Sequence, residues 1–359
     1  MKIIAQLQLQ PTDAQADALK RTLAAANSAC DYVSEIAWSQ KVFKKFDLQK
    51  LCYTAIRDTY KLSAQLAIRV IAKTADAYKL DKRTKRVFKP LGSIAYDDRI
   101  LSYALPGRKI SIWTLDGRLS IPFVAGERQL AMLATRMGET DLVFHRGEWY
   151  LLATCEVSEP DPSDVDGVLG IDLGMVMLAT DSDGESHTGE SVEKHRQRHA
   201  RVRAELQSKD TKSAKRKLKQ ISGKQQRFQK DVNHCISKRI VAKAERTKRA
   251  IALEDLKGIR QRARVSGPEQ RARHSNWAFA QLRQYISYKA HLAGIPVILV
   301  DPAYTSRTCA VCGCNEKSNR KSQAQFLCVR CGHADNADRN AAINISRAAV
   351  IQPIVSKAA

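Results

Sequence analysis

Two Cys-x2-Cys pairs near the C-terminus constrain the fold of this chain more than any other feature. Cys309 and Cys312 form the first pair, Cys328 and Cys331 form the second, and fifteen residues separate the pairs. Each such turn directs two thiolates toward one point, and two turns complete a tetrahedron around a zinc ion. The spacing therefore predicts a structural Zn²⁺ site in a zinc ribbon.

The other cysteines do not change this prediction. Cys314 and the nearby His333 could each replace one ligand, although the symmetric set of four is preferred. The remaining four cysteines are scattered through segments of apolar periodicity, which is typical of reduced core residues and not of a disulfide framework. They are Cys30, Cys52, Cys155 and Cys235.

The charge of the chain is strongly positive. Lys and Arg total 60 against 37 Asp and Glu, a formal net charge of +23 over 359 residues. Twenty of the basic residues lie between Lys194 and Arg249, together with only four acidic ones. A solvated helical face would mix the two signs. The imbalance instead predicts a polyanionic partner, and nucleic acid is the one that we expect.

Membrane and secretion signals are absent from the sequence pattern. The most apolar stretch, Ile295 to Val300, is too short to span a bilayer. The first residues lack the apolar core and cleavage site of a secretory signal. We therefore expect a cytoplasmic protein with no membrane partner.

The hydrophobic pattern of the first half predicts a small β-barrel with a helical insert. Residues 1–10 alternate as a strand does, and Thr12 with Gln15 predicts a capping box at the start of a helix. Residues 11–85 have helical spacing. Residues 86–165 form short runs with hairpin turns at Asp116-Gly117 and Arg146-Gly147.

The second half alternates strands and helices, which predicts an α/β domain over residues 166–304 and 335–359. The metal module, residues 305–334, is inserted before the last helix. The whole chain is thus expected to be an α+β multidomain protein. Three aromatic residues in or just before a predicted amphipathic helix are assigned to its core; they are Trp277, Tyr285 and Tyr288.

Three acidic residues stand out in the second half, and two of them lie inside apolar strands, where an unpaired carboxylate is energetically unfavourable. Asp172 lies inside one apolar strand, Glu254 lies inside another, and Asp338 begins the last helix. Taken singly, each has a structural interpretation as a turn residue, a strand-end charge or a helix N-terminal acid. Together they form the constellation that two Mg²⁺ ions need for phosphodiester hydrolysis. Asp255 competes with Glu254 for the second metal position, but neighbours on a strand point to opposite faces, so only one of them should reach the site. We assign Asp301 a structural role.

Several segments resemble the TnpB family, the OrfB-type proteins of bacterial insertion sequences, which are related to type V CRISPR effector nucleases. The resemblance is dense from Gly167 to Ala349, and it is carried by the segments GIDLGMVMLATDSDG, IALEDLKG, NRKSQAQFLCVRCG and ADNADRNAAINI. It implies a RuvC-like (RNase H-like) nuclease domain with an inserted zinc ribbon. The barrel, residues 1–10 and 86–165, would be the wedge domain, and residues 11–85 its recognition insert.

The resemblance also implies a function and roles for residues. Asp172, Glu254 and Asp338 would be the three catalytic carboxylates and the Mg²⁺ ligands, with Glu254 preferred over Asp255 because it matches the family motif. The protein would be an RNA-guided DNA endonuclease of bacteria or archaea, acting at the nucleoid. Its guide RNA would come from the end of its element, and its target would be double-stranded DNA.

Two other functions stay open at this point. One is a transposase that acts directly on the DNA ends of its element, although the sequence has no clear helix-turn-helix for reading DNA. The other is a guide-directed repressor without cleavage, against which the three intact acids weigh.

Overall fold

The computed structural model describes residues 1–256, Gly267 and residues 279–351. Its chain divides into two units, Met1–Ser158 and Glu159–Ala359. Trp277 and parts of the predicted nuclease domain, at residues 257–266, 268–278 and 352–359, lie outside the described residues. How the first unit divides further into wedge and recognition parts stays a prediction.

A seven-stranded antiparallel sheet organises the first unit, with strand order β2-β6-β7-β1-β5-β4-β3. Tyr103 on β3 donates a hydrogen bond of 3.0 Å to the Thr140 hydroxyl on β6, so the two margins of the sheet approach each other. The sheet is therefore nearly closed. The strands are β1 Lys2–Leu9, β2 Ile94–Tyr96, β3 Leu101–Ala104, β4 Lys109–Thr114, β5 Gly117–Val124, β6 Arg136–His145 and β7 Glu148–Glu156.

Glycines at the predicted hairpin turns have the backbone conformation that such turns require. Gly117 has φ of 94° between β4 and β5, and Gly147 has φ of 93° between β6 and β7. Residues other than glycine rarely adopt these φ angles. Both hairpins predicted from the sequence are thus present.

Three long helices follow β1 and form one core with the sheet. They are α1 Asp13–Gln40, α2 Lys45–Tyr60 and α3 Ala64–Leu80, and the shorter α4, Glu127–Leu133, follows β5. The capping box predicted at Thr12 and Gln15 is present at the start of α1. Neither α4 nor β3 was predicted, because both are short and only one residue of each is buried.

A five-stranded sheet organises the second unit, with strand order β10-β9-β8-β11-β12. Strands β8, β11 and β12 are parallel to one another, and the β8–β9–β10 meander is antiparallel. The strands are β8 Gly167–Asp172, β9 Met177–Asp181, β10 Ser186–Thr188, β11 Arg249–Glu254 and β12 Val297–Val300. Because β8 and β11 run parallel, their carboxyl ends lie at the same edge of the sheet.

The helices of the second unit connect or cover these strands. The basic segment forms α5 Glu190–Lys209, α6 Lys212–Ile221 and α7 Lys224–Arg246 before β11; α8, Phe279–Leu292, precedes β12, and α9, Ala337–Ile351, is last. Helix α9 packs closely on β8 at Gly170, where an added Cβ would lie 2.0 Å from the carbonyl oxygen of Ala342. No larger residue fits there unless the helix moves.

The cysteine-rich segment lies between β12 and α9. It contains the short antiparallel strands β13, Gln325–Leu327, and β14, Ala334–Asn336. The side chain of Asn319 is fully buried and connects its parts. It donates to the carbonyl oxygens of Arg307 at 3.0 Å and Cys314 at 2.9 Å, and it accepts from the amide of Val329 at 2.9 Å.

Two predictions about buried side chains need correction. Cys235 is exposed, because it lies on the outer side of α7, next to the buried Ile236 and Ser237. Tyr285 and Tyr288 are only half-buried, and Tyr285 stacks on His234 with ring centroids 4.0 Å apart. Among the helices that are described, none has the length and apolar character needed to cross a membrane.

Candidate functional site

Asp172 and Glu254 are the last residues of two adjacent parallel strands, β8 and β11. The register pairs Ile171 with Leu253, one residue before each acid, so the two carboxylates leave the sheet side by side. Asp338 reaches the same place from the first turn of α9, which packs on β8. Three residues distant in sequence thus meet at one edge of the sheet.

The electrostatics of Asp172 reflect this meeting. Burial, followed by the negative charges of Glu254 and Asp338, raises the pKa of Asp172 to about 8. Burial is expected to disfavour a charged carboxylate, and neighbouring carboxylates add to the effect. Such a group ionises readily only when a cation compensates the charge. The cluster therefore has the electrostatic character of a cation site.

A polar side chain contacts each of Glu254 and Asp338. The hydroxyl of Thr305 donates a hydrogen bond to Glu254 Oε1, and Arg320 Nη2 lies 3.3 Å from Asp338 Oδ1. Burial raises the pKa of both carboxyl groups, and these two partners oppose that rise. Asp338 itself is 9% exposed.

Arg320 was not predicted as a site residue. It comes from the segment between the two cysteine pairs, and its charge lowers the pKa of all three acids. It lies within the NRKSQAQFLCVRCG segment that carries the family resemblance, which is the one signal that could have drawn attention to it. The cysteine-rich module thus contributes a cation to the carboxylate cluster.

The neighbouring acids are engaged elsewhere. Asp255 pairs with Arg283 of α8 at 2.8 Å, so Glu254 is the member of this pair that faces Asp172. The exposed Asp301 accepts a 2.9 Å hydrogen bond from the amide of Ala303. Its charge is a minor cause of the raised pKa of Glu254.

The three acids do not converge on a single point. Among the side chains that the structure describes, the only group of three or more potential ligands close enough to share one ion is the set of four cysteines. The ligand atoms of the three carboxylates thus approach one another less closely than those of the four cysteines do.

The four predicted cysteines do converge. The sulfur atoms of Cys309, Cys312, Cys328 and Cys331 all lie within 4.8 Å of one another. The Cys309–Cys331 sulfurs are 3.7 Å apart and the Cys312–Cys328 sulfurs 3.6 Å apart. A tetrahedron with metal–sulfur bonds of about 2.3 Å has sulfur–sulfur edges of about 3.8 Å. The four sulfurs could therefore hold a tetrahedral metal ion.

Backbone amides donate to the sulfur atoms of two of these cysteines, Cys328 and Cys309. The amide of Cys331 donates to the sulfur of Cys328 at 3.5 Å, and it is the main cause that lowers the pKa of the Cys328 thiol to about 6. The amide of Val311 donates to the sulfur of Cys309 at 3.4 Å. Because the thiolate is the form that binds metals, these bonds favour ligation.

The two spare ligands take part through their backbones. The carbonyl oxygen of Cys314 accepts from the amide of Cys309 at 2.9 Å, and that of His333 accepts from the amide of Cys328 at 2.8 Å. Neither side chain belongs to the group of converging ligand atoms. These contacts shape the two cysteine turns.

Two parts of the chain match known families. Residues 153–258 match the OrfB family of IS605-type elements, described as "Probable transposase". Residues 279–345 match the family described as "Cas12f1-like, TNB domain". The first match contains Asp172 and Glu254, and the second contains Asp338 and all four cysteines.

Individual relatives give the same result. The CRISPR-associated endodeoxyribonuclease Cas12f1 of Syntrophomonas palmitatica is 31% identical over 59% of this chain and 51% of its own length. InsQ of Escherichia coli is 32% identical over 55% of this chain and 53% of its own length. A TnpB-like protein of Methanocaldococcus jannaschii is 32% identical over 36% of this chain and 45% of its own length. The chain spans about half the length of these relatives.

A solved structure extends the likeness of fold to most of the chain. The cryo-EM structure of a Cas12f1–sgRNA–target DNA complex superposes with a TM-score of 0.60 at 17% identity, covering 92% of this chain and 83% of that one. At this identity the superposition shows a shared fold. The family models and the sequence relatives confirm the family resemblance: over residues 153–258 and 279–345 this chain is related to the OrfB-type TnpB-like proteins and to Cas12f.

Proposed function

We propose that this chain is an RNA-guided DNA endonuclease that hydrolyses phosphodiester bonds at Asp172, Glu254 and Asp338. The observation that carries the proposal is the meeting of these three acids at one sheet edge. They lie within the two segments that match the OrfB and Cas12f1-like families. The activity is a proposal for the whole protein, because the matches cover about half the length of the relatives.

The donor chemistry of the cluster suits Mg²⁺, which prefers oxygen ligands such as carboxylates. When bound, Mg²⁺ supplies an activated water and stabilises the charge that develops on the leaving oxygen. The three carboxylates would hold the ions. Arg320 stands beside Asp338, where a cation would also orient a DNA phosphate.

The cysteine site suits Zn²⁺. Four thiolates at tetrahedral separations are the ligand set of structural zinc sites, which leave no open position for catalysis. We assign the ion a structural role in the segment between β12 and α9. Around it we infer a zinc ribbon over residues 305–334.

This assignment of sites supports a finer description of the fold. The second unit would be a RuvC-like (RNase H-like) nuclease domain, residues 166–304 and 335–359, with the ribbon inserted. In the first unit, α1–α3 lie between β1 and β2 in sequence. This order agrees with a wedge-like barrel, residues 1–10 and 86–165, that carries a helical recognition insert over residues 11–85.

The basic helices α5–α7 support the assignment of a guide RNA and a DNA target as partners. Of the twenty Lys and Arg residues between Lys194 and Arg249, seventeen are exposed. Helix α5 has no buried residue at all. Such a surface binds phosphates without reading bases. Base pairing with the guide would then select the target.

A guide exchange tests the proposal. The protein is purified with RNA transcribed from the end of its element, and the guide portion of that RNA is replaced. We expect the site of double-strand cleavage to move to the DNA that matches the new guide, and cleavage to require Mg²⁺.

Two outcomes would contradict the proposal. RNA-free protein that cuts a fixed DNA sequence would indicate a transposase acting directly on element ends. Binding that follows the guide without any cleavage would indicate a repressor. RNA binding should also weaken steeply with salt, because it releases counterions from the phosphates.

A further inference from the structure

Thr305 is a buried residue in the loop that leaves β12, and its hydroxyl contacts the carboxylate cluster. It is 7% exposed. Its Oγ1 donates to Glu254 Oε1, and the carbonyl oxygen of Pro302 lies 3.3 Å from the same hydroxyl. A hydroxyl has one proton to donate, and the bond to an ionised carboxylate is the stronger of the two. The hydroxyl therefore fixes one oxygen of Glu254.

Helix α9 holds the loop that carries Thr305. Asn344 Nδ2 donates to the carbonyl oxygens of Thr305 at 2.9 Å and Thr308 at 2.7 Å. One turn earlier, Asn340 donates to the Thr308 carbonyl at 2.8 Å and accepts from the amide of Ala310 at 2.9 Å. The two asparagines lie four residues apart and so share one face of the helix. The helix that presents Asp338 therefore also holds the loop that restrains Glu254.

Glu254 needs such a restraint for a physical reason. The terminal torsion of a glutamate is broad and roughly two-fold, so sterics alone do not orient the carboxylate. Its neighbour Asp172 carries the same charge when ionised, which favours rotation of Glu254 away from the site. A hydrogen bond to Oε1 opposes that rotation and leaves Oε2 available as a ligand.

We propose that Thr305 is the positioning residue for Glu254, held in place by Asn344, so that α9 sets the orientation of both the second and the third carboxylate. This inference rests on the proposed function, because it assigns Glu254 a Mg²⁺ ion. Thr305 itself contacts neither the metal nor the DNA in this role. Its effect acts through Glu254, on the affinity of the site for metal.

A pair of substitutions isolates the hydroxyl. Thr305→Ser and Thr305→Ala both lose the methyl group, and only serine keeps the hydroxyl. Loss of such a partner of a metal ligand typically lowers metal affinity or activity by about 10–100-fold. We expect Thr305→Ala to raise the Mg²⁺ concentration for half-maximal cleavage by about that factor, and Thr305→Ser to remain close to the unsubstituted protein. Excess Mg²⁺ should restore much of the lost rate.

A control and a second measurement complete the test. Thr308 lies in the same loop, and its hydroxyl donates to the carbonyl oxygen of Tyr304 at 2.9 Å. Thr308→Ala should therefore leave the Mg²⁺ dependence unchanged. Calorimetric titration of Mg²⁺ into each purified protein measures affinity without cleavage, and the Tm in EDTA reports whether the variants differ in stability.

The outcomes separate this inference from the function on which it rests. If Thr305→Ala and Thr305→Ser have the same Mg²⁺ affinity, or if Thr308→Ala weakens it as much as Thr305→Ala does, the positioning role is wrong. If the unsubstituted protein binds Mg²⁺ but cuts no DNA with any guide, the proposed function fails. The calorimetric comparison of alanine with serine still decides the role of Thr305 in that case.

Discussion

The cysteine cluster and the carboxylate cluster of the second unit are built in different ways. The four sulfurs lie at the separations that a tetrahedral ion requires. The three carboxylates lie at one edge of the sheet, but their oxygen atoms are not close enough together to form a ready site for one ion. The pKa of each is raised. Thiols can be neutral and approach closely, whereas two carboxylates 4 Å apart repel by about 4 kcal/mol at an effective dielectric constant of 20.

The difference also concerns the source of the geometry. Each cysteine pair is arranged by a local turn within four residues, so its geometry is nearly independent of the rest of the fold. The carboxylates are placed by strand register and helix packing, and they are adjusted by Thr305 and Arg320. The first cluster is therefore expected to tolerate distant changes that the second does not.

Removing one carboxylate should have the largest effect and should leave the cysteine site intact. Asp172→Ala is expected to lower the cleavage rate by at least about three orders of magnitude, as loss of a central catalytic group does in other hydrolases. Nucleic-acid binding and zinc content should not change. Cleavage assays with bound guide, together with metal analysis, measure both effects. Full activity of this variant, or of the unsubstituted protein in EDTA, would contradict the mechanism.

Removing half of the thiol set should affect both clusters. Cys328→Ser combined with Cys331→Ser is expected to abolish binding of the single Zn²⁺ ion that we propose for the cysteine cluster, because two ligands cannot hold the tetrahedron. Cleavage should also fall, since Arg320 and Thr305 belong to the segment that this ion would organise. The matched control is Cys235→Ser, because Cys235 is exposed and lies outside the cluster. This variant should bind as much zinc as the unsubstituted protein. Zinc retained in the double variant would show that other ligands bind it.

A substitution at Gly170 should disturb the carboxylates selectively. An added Cβ would meet the Ala342 carbonyl, so α9 must shift and carry Asp338 with it. Overpacking of this kind costs about 1–3 kcal/mol, which urea unfolding of Gly170→Ala should show. Gly167→Ala in the same strand is the control, because its nearest contact would be an ordinary 3.8 Å to Arg249. Equal stability and cleavage of the two variants would mean that α9 adapts without cost.

The pKa of Asp183 is lowered, in contrast to the raised pKa values of the three clustered acids. Its substitution should have the smallest effect of those considered. Hydrogen bonds from Arg249 are the main cause that lowers its pKa, helped by Lys243. A lowered pKa stabilises the fold above the unfolded value of about 3.9, and this contribution is lost as the pH falls below it. Asp183→Asn should therefore reduce stability by less than about 1 kcal/mol near pH 7, because the pair is partly exposed and screened.

The pH dependence and a salt control decide this last case. The difference between Asp183→Asn and the unsubstituted protein should begin to shrink as the pH falls below about 4, and it should go on shrinking toward the lower pKa of Asp183 in the folded state. It should also shrink at high salt. A difference that grows toward acid pH would contradict the assignment.

Local features of this fold could be predicted from sequence, and long-range features could not. The capping box at Thr12 and the hairpin glycines depend only on neighbouring residues, and the structure contains both. The cysteine spacing encodes its own geometry in the same way. The contacts of Arg320 and Thr305 depend on how the cysteine-rich segment lies against α9 and β11, which no local pattern specifies.

The errors have related physical causes. Cys235 lies on a helix whose buried face begins one residue later, at Ile236, so an error of one position changes buried to exposed. Strand β3 lies at the end of the strand order, next to β4, and it is too short for a clear alternation. The acids at the ends of β8 and β11 were recognisable as unusual, but only the parallel register shows that they are neighbours.

The position of the cysteine-rich segment between β12 and α9 has a consequence for chain entropy. Residues 301–336 connect β12 to α9, and they form the last part of the chain between Glu254 and Asp338. Each doubling of the length of a connecting loop costs only about 0.6 kcal/mol in closure entropy. A zinc cross-link that shortened this connection roughly twofold would therefore add little to the stability of the fold through loop shortening. The length of this connection can consequently vary at little entropic cost. Extra residues inserted near the exposed Ser322 and Gln323 should be tolerated, provided that Arg320 keeps its contact with Asp338 and that Asn340 and Asn344 keep theirs with the start of the loop.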